Sequence, residues 1–133
     1  MLFNRVIIFK NSLRSLRKYM KYTLDAKEKK LGRVASEAAA LLMGKNKTDF
    51  SRNTVENVEV CIVNASKIKL ISDKITKKEY ANYTGYPGGF AMQKMEDIVG
   101  KKGFAEIMRR AVYGMLPSNK LRAKILKNLT ITE

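Results

Sequence analysis

Tyr22-Thr23-Leu24-Asp25-Ala26 opens the part of the chain that decides the fold. Two stretches complete it: Leu31-Gly32-Arg33-Val34-Ala35-Ser36-Glu37-Ala38-Ala39-Ala40-Leu41-Leu42-Met43-Gly44, and Val58-Glu59-Val60-Cys61-Ile62-Val63. The first reads as a short strand, followed by a charged turn from Lys27 to Lys30. In the second, Leu31, Val34, Ala35, Ala38, Leu41 and Leu42 recur at helical spacing, and Gly44 is a natural C-terminal stop. The spacing predicts an amphipathic helix over 31–43. The third stretch is a near-continuous apolar run, as expected of a central strand buried on both faces. Strand, helix and buried strand make a βαβ unit, which implies a parallel sheet.

Working outward, Ile68-Lys69-Leu70-Ile71 reads as a further short strand. Ser72-Asp73-Lys74 reads as a turn, with Ile75-Thr76 pairing back as a small hairpin. Lys74, Lys77 and Lys78 would then cluster at its tip and return side. Phe104, Ile107, Met108, Ala111, Val112, Met115 and Leu116 lie on one helical face, the strongest periodic signal in the chain. Pro117 ends that helix, and Ser118 or Asn119 can cap the next. In this last helix Leu121, Ile125 and Leu126 face inward, while Lys120, Arg122, Lys124 and Lys127 make a basic outer surface. Leu129-Thr130-Ile131 reads as a last extended segment. Gly114 sits inside the long helix, where glycine costs about 1 kcal/mol relative to alanine. Either a packed neighbour or an RNA backbone must approach there.

The length of 133 residues fits one domain, and a 45% hydrophobic content supports a real core. Residues 21–133 are expected to form that domain, behind a basic extension over 1–20. Lys and Arg number 27 against 12 Asp and Glu, a net charge of +15. Such an excess calls for a polyanion, with nucleic acid ahead of an anionic membrane surface. Histidine is absent, which removes the commonest general base and metal ligand. Cys61 is the sole cysteine and reads as a small buried hydrophobe rather than a nucleophile. No intramolecular disulfide or cysteine zinc site can form. Gly32 stands alone where a dinucleotide fingerprint needs three glycines, and no phosphate-binding Gly-Lys-Ser/Thr loop follows a strand. Glu96 and Asp97 are adjacent and read as complements to a helix dipole, not as a catalytic pair. Catalysis is not expected, and neither a cofactor nor a small-molecule substrate is implied.

No apolar run reaches the roughly 18 residues of a membrane span. Met1 to Tyr19 carries Arg5, Lys10, Arg14, Arg17 and Lys18 without an acid. Three readings compete for it: a basic arm ordered by RNA, an organellar transit peptide, and an upstream start ahead of Met20.

Tyr83-Thr84-Gly85-Tyr86-Pro87-Gly88-Gly89, flanked by Tyr80 and Phe90, carries flat side chains on a glycine-shaped backbone. On so basic a chain this reads as a surface for nucleic acid, with the tyrosines stacking on bases or riboses. The alternative is an aromatic turn that caps a small core, and at least one tyrosine is expected to be core. Lys45 and Lys47, then Lys74, Lys77 and Lys78, then Arg109 and Arg110 on the long helix supply phosphate contacts.

Four stretches together resemble the large-subunit ribosomal protein thirteen family. They are Leu24-Asp25-Ala26 with Leu31-Gly32-Arg33-Val34-Ala35-Ser36; Val63-Asn64-Ala65 with Ile68; Thr84-Gly85-Tyr86-Pro87-Gly88-Gly89; and Ala111-Val112-Tyr113-Gly114-Met115-Leu116-Pro117 with Asn119-Lys120-Leu121. Their order holds from Tyr22 to Leu129. The resemblance implies an α/β fold, three-layer α/β/α around a short, mostly parallel sheet with a small β-hairpin extension. It implies a structural, non-enzymatic protein that binds large-subunit ribosomal RNA early in assembly beside other large-subunit proteins. That setting is cytoplasmic and ribosome-bound, or an organellar ribosome if residues 1–19 are a transit peptide. The expected RNA-binding residues are Arg33, Lys45, Lys47, Lys74, Lys77, Lys78, Tyr80, Tyr83, Tyr86, Gly88, Gly89, Arg109, Arg110, Lys120 and Lys124. The chain departs from the family at Tyr83, where histidine is common, near Lys21, where an aromatic is common, and at Lys102-Gly103, where proline is usual. It also stops at Glu133, short of the family's usual tail, so fewer peripheral contacts are expected. A translational regulator acting outside the ribosome, and a small nucleotide-acting α/β enzyme, are the competing functions.

Overall fold

The βαβ unit forms where hydrophobic spacing places it. In the computed structural model, which describes residues 20–70 and 72–133, the elements run β1 (Met20–Asp25), α1 (Leu31–Leu42), β2 (Val58–Val63), α2 (Ser72–Lys77), β3 (Glu79–Tyr83), β4 (Phe90–Lys94), α3 (Met95–Met115), α4 (Arg122–Leu126) and β5 (Leu129–Ile131). β1, β2 and β5 make a parallel sheet in that order, with Met20 opposite Val58, Leu24 opposite Ile62 and Val60 opposite Leu129. β3 and β4 form a separate antiparallel hairpin. Met20, placed in the N-terminal extension by the sequence, is the first residue of β1; the readings of residues 1–19 fall outside the described residues.

The α/β class, the parallel sheet and the hairpin are as expected. Both crossovers move across the sheet in the same direction, so right-handed connections bring their helices to the same face. The core follows from that. Val58, Val60 and Ile62 of β2 are buried under Val34, Ala38 and Leu42 of α1 and Met108 and Val112 of α3, all one cluster. Among the described residues the other sheet face carries no fully buried side chain. Glu59, Cys61 and Val63 are half-buried, Thr23 and Thr130 are exposed, and Lys21 pairs with Glu59 at 3.7 Å. The expectations that β2 is buried on both faces and that Cys61 is fully buried are thereby corrected.

α1 ends as its glycine predicts. The Gly44 N–H donates to the Leu41 carbonyl and the Lys45 N–H to the Ala40 carbonyl, satisfying two terminal acceptors. After β2 the sequence reading departs from the structure. Asn64 turns the chain with φ 59°, a left-handed geometry that asparagine tolerates better than most residues. A 3-10 turn over Ala65–Lys67 follows. Ile68 to Leu70 form no strand beyond a single bridge between Lys30 and Lys69, and Ser72–Lys77 is helical. The predicted hairpin at 68–76 therefore does not exist; β3 and β4 form it instead, one segment later.

α3 is two helices joined at a kink. Gly103 has φ 73°, and a Cβ there would collide with the Glu133 carboxylate. That carboxylate accepts from the Ala105 N–H at 3.0 Å, capping the second limb. Glu96 and Asp97 occupy the first turn, as read from sequence. On the expected apolar face Ile107, Met108, Val112 and Leu116 are buried, but Met115 is 40% exposed. Ile125 is buried, and Leu121 and Leu126 are half-buried, as predicted. Arg122 corrects the reading of α4. It turns inward, donating to the Leu116 and Pro117 carbonyls at 2.8 and 3.0 Å while stacking on the Tyr113 ring. Those carbonyls end α3 and lack helical partners, so the guanidinium takes that work.

Candidate nucleic-acid interface

The aromatic loop is the tip of the β3–β4 hairpin. Tyr83 lies opposite Phe90 and Ala81 opposite Met92 on one face, while Tyr80 opposes Gln93 on the other. At the tip the Gly89 N–H donates to the Tyr86 carbonyl at 2.9 Å, and the Thr84 N–H to the Gly89 carbonyl at 3.1 Å. A Cβ on Gly89 would overlap Thr84 Oγ1, so this close turn requires glycine there. The turn leaves Tyr86 75% and Tyr83 64% exposed, with Phe90 and Met92 exposed beside them. These rings are free to stack. Met92 escaped the sequence reading because it joins the aromatics only through strand pairing.

Tyr80 is different. It packs on the small cluster of Met95, Ile98 and Ile107, with Lys78 Nζ 5.5 Å and the Arg110 guanidinium 5.2 Å from its ring centre. Burial pushes its hydroxyl pKa up, opposed in part by the Arg110 charge. Tyr80 is thus the tyrosine that belongs to the core, and it anchors the hairpin base.

The basic residues divide by what already holds them. Arg33, Lys45, Arg109, Lys120 and Lys124 are exposed. Lys47 is half-buried against Glu56 at 2.5 Å, and a Cβ on Gly44 would intrude on that Glu56 side chain. Arg110 donates Nε to Glu106 at 3.1 Å, one helical turn back. Lys47 and Arg110 therefore have carboxylate partners inside the protein. Lys74 lies within α2, and Lys77 and Lys78 are exposed.

Folding also assembles what the sequence did not join. Lys30, Lys69, Lys77, Lys78 and Arg110 border one groove of about 780 Å³ between α1, α2 and α3. Lys30 and Lys69 were missed as partners. The Lys69 N–H donates to the Lys29 carbonyl at 3.0 Å, a contact with no local sequence signal. Near the ends of β1 and β2, Asn64 Nδ2 and the Lys27 N–H each donate to Asp25 Oδ1 at 3.0 Å. The Asn64 hydrogen bond first, then that of Lys27, holds the Asp25 carboxyl below its usual range. Asp25 and Asn64 come from two of the four motif stretches, so the motifs meet in space. Among the described residues no group of His, Cys, Asp and Glu could hold a metal ion.

The family model for ribosomal protein L13 matches residues 19–133. The chain belongs to that family. Relatives described as large ribosomal subunit protein uL13 agree. That of Moorella thermoacetica is 41% identical over 111 residues, covering 83% of this chain and 76% of the relative. That of Dehalococcoides mccartyi strain CBDB1 is 42% identical over 112 residues, covering 84% and 78%. That of Mycolicibacterium gilvum is 42% identical over 110 residues, covering 83% and 74%. Within this L13 chain, the hairpin tip and the Gly114-Met115-Leu116-Pro117 helix end belong to one matched region, so the hairpin is part of the L13 domain.

Proposed function

We propose that the protein is a structural constituent of the large ribosomal subunit, binding large-subunit ribosomal RNA and supporting early subunit assembly. Membership of the L13 family carries this reading. It assigns a structural rather than enzymatic role, on a cytoplasmic ribosome and beside other large-subunit proteins. The net charge of +15 supports it, since folding leaves most of the expected phosphate-binding side chains at the surface.

The residues divide the work by chemistry. Arg33, Lys45, Arg109, Lys120 and Lys124 neutralise phosphates, the arginines by bidentate contacts and the lysines as point charges. Tyr83 and Tyr86 stack on unpaired bases or pack on riboses, and Gly88 and Gly89 hold the tip in a shape that fits RNA. Lys77 and Lys78 add positive charge near the hairpin base, and Lys74 of α2 is a further candidate phosphate contact. Lys47 and Arg110, already paired with carboxylates, contribute field more than direct contacts.

Binding to transcripts of large-subunit ribosomal RNA, with messenger RNA fragments as competitors, tests the reading. Ribosomal RNA should win, and log K should fall by about 0.7 per phosphate contact with log salt on single-stranded segments. Equal competition by messenger RNA would favour a regulator acting outside the ribosome.

A further inference from the structure

The groove between α1, α2 and α3 is basic at its edge and apolar at its floor, a combination not explained by the fold. Leu31, Leu70, Met95, Ala111 and Met115 line the floor. The edge is cationic, and none of the described lining residues is acidic. Its volume of about 780 Å³ lies within the roughly 300–1,000 Å³ of sites that enclose a small organic group.

Two glycines in the walls sharpen the question. Gly32 lies in α1 and Gly114 in α3, and a Cβ on either would touch nothing within 4 Å. Packing against a neighbour, one of the two explanations for Gly114, is therefore excluded within the described residues. A helical glycine costs about 1 kcal/mol relative to alanine, and here no internal contact offsets it. What the missing side chains provide is room on the groove side. Met115, also off the core, spans the walls with its sulfur 3.3 Å from the Ser36 hydroxyl.

We propose that this groove seats an unpaired nucleotide of the bound RNA, its base on the apolar floor and its flanking phosphates on the edge lysines Lys30, Lys69 and Lys78. The inference rests on the RNA-binding function proposed above and adds a second contact, in a groove beside the hairpin base, where Lys78 and Tyr80 line it, rather than at the tip. Charge selects this occupant. A basic peptide would be repelled by the excess of positive charge and an apolar one would gain nothing from it, whereas a nucleotide offers a flat apolar face and anionic oxygens in one group. The walls, bare of Cβ atoms at Gly32 and Gly114, allow the sugar-phosphate backbone to come close.

A Cβ at position 114 has no protein atom within 4 Å, so Gly114→Leu starts its side chain in open space and extends it into the groove. Gly100→Leu is the control, because Gly100 is also an exposed glycine of α3 with open space around it but does not line the groove. Both variants should melt at or above the wild-type temperature by circular dichroism. Affinity for a large-subunit ribosomal RNA transcript should fall about tenfold for Gly114→Leu and stay unchanged for Gly100→Leu. A photo-crosslinking residue at Met115, in assembled large subunits, should label a ribosomal RNA nucleotide. Normal binding by Gly114→Leu, or a crosslink from Met115 only to another protein, would overturn the groove proposal while leaving the broader function standing. Failure of the wild-type protein to bind ribosomal RNA would overturn both.

Discussion

The sheet with its helices and the β3–β4 hairpin are built on opposite terms. In the sheet, Val60 and Ile62 are fully buried and alternate with half-buried residues, so each strand contributes one face to a shared core. In the hairpin, Tyr80 is the one strand residue that is not exposed, and Tyr83, Phe90 and Met92 carry their apolar surface into solvent. A two-stranded hairpin is at best marginally stable alone in water. This one is held at its base, where Tyr80 packs inward and the Met95 N–H donates to the Lys78 carbonyl at 2.8 Å. The body thus owes its order to its own burial. The hairpin tip keeps exposed aromatics that its own fold does not use, which is what a binding surface requires.

The comparison can be broken by substitution. The largest effect belongs to the body: Ile62→Ala or Ile107→Ala should destabilise by about 2–5 kcal/mol in chemical denaturation. A loss below about 1 kcal/mol would mean that these side chains do not carry the core. Next comes the tip. Tyr86→Ala should leave the melting curve almost unchanged yet weaken ribosomal RNA binding by about 1–3 kcal/mol if the ring stacks on a base. Unchanged affinity would move Tyr86 from the RNA side to solvent or to a protein neighbour. Met115→Ala should cost well under the 2–5 kcal/mol of a buried position, since its side chain faces the groove; a full core-sized loss in a thermal melt would contradict that placement.

The smallest effect is electrostatic. Asp25 has a depressed carboxyl pKa in the fold. Its contribution is therefore present above the unfolded value of about 3.9 and lost as pH falls through the folded value. Because the group is largely exposed, solvent screening keeps the contribution small. Asp25→Asn should slightly flatten the acid limb of the stability profile and leave neutral and alkaline pH without a titration change at this site. Tyr80 adds an opposite, alkaline signature. Its raised pKa means that stability present below about pH 10 is lost as pH rises further, which absorbance of tyrosinate at high pH can follow.

What was legible in the sequence follows the same division. α1, β2 and the second limb of α3 bury a regular stripe, so spacing alone located them, and Gly44 and Pro117 marked ends that the structure keeps. The hairpin buries almost nothing, so Glu79 to Tyr83 and Phe90 to Lys94 leave no periodic pattern to read. Ile68-Lys69-Leu70-Ile71 has strand-like composition, yet β5 takes the place beside β2, and Ile68 to Leu70 form only the single bridge between Lys30 and Lys69. Met115 satisfies the helical arithmetic but sits where α3 faces the groove instead of the core. Arg122 looked like surface charge because the need of the Leu116 and Pro117 carbonyls for donors is a tertiary fact. The expected RNA contacts were legible as residue types, but pairing was not. Neither the Lys47–Glu56 contact nor the Tyr80–Arg110 stack has a signature in local spacing.

Sedimentation of extract from cells producing the protein, with detection by antibody, tests the central claim most directly. The protein should travel with large ribosomal subunits and their precursors and remain with them through moderate salt. Recovery as free protein, absent from those particles, would contradict the proposed role.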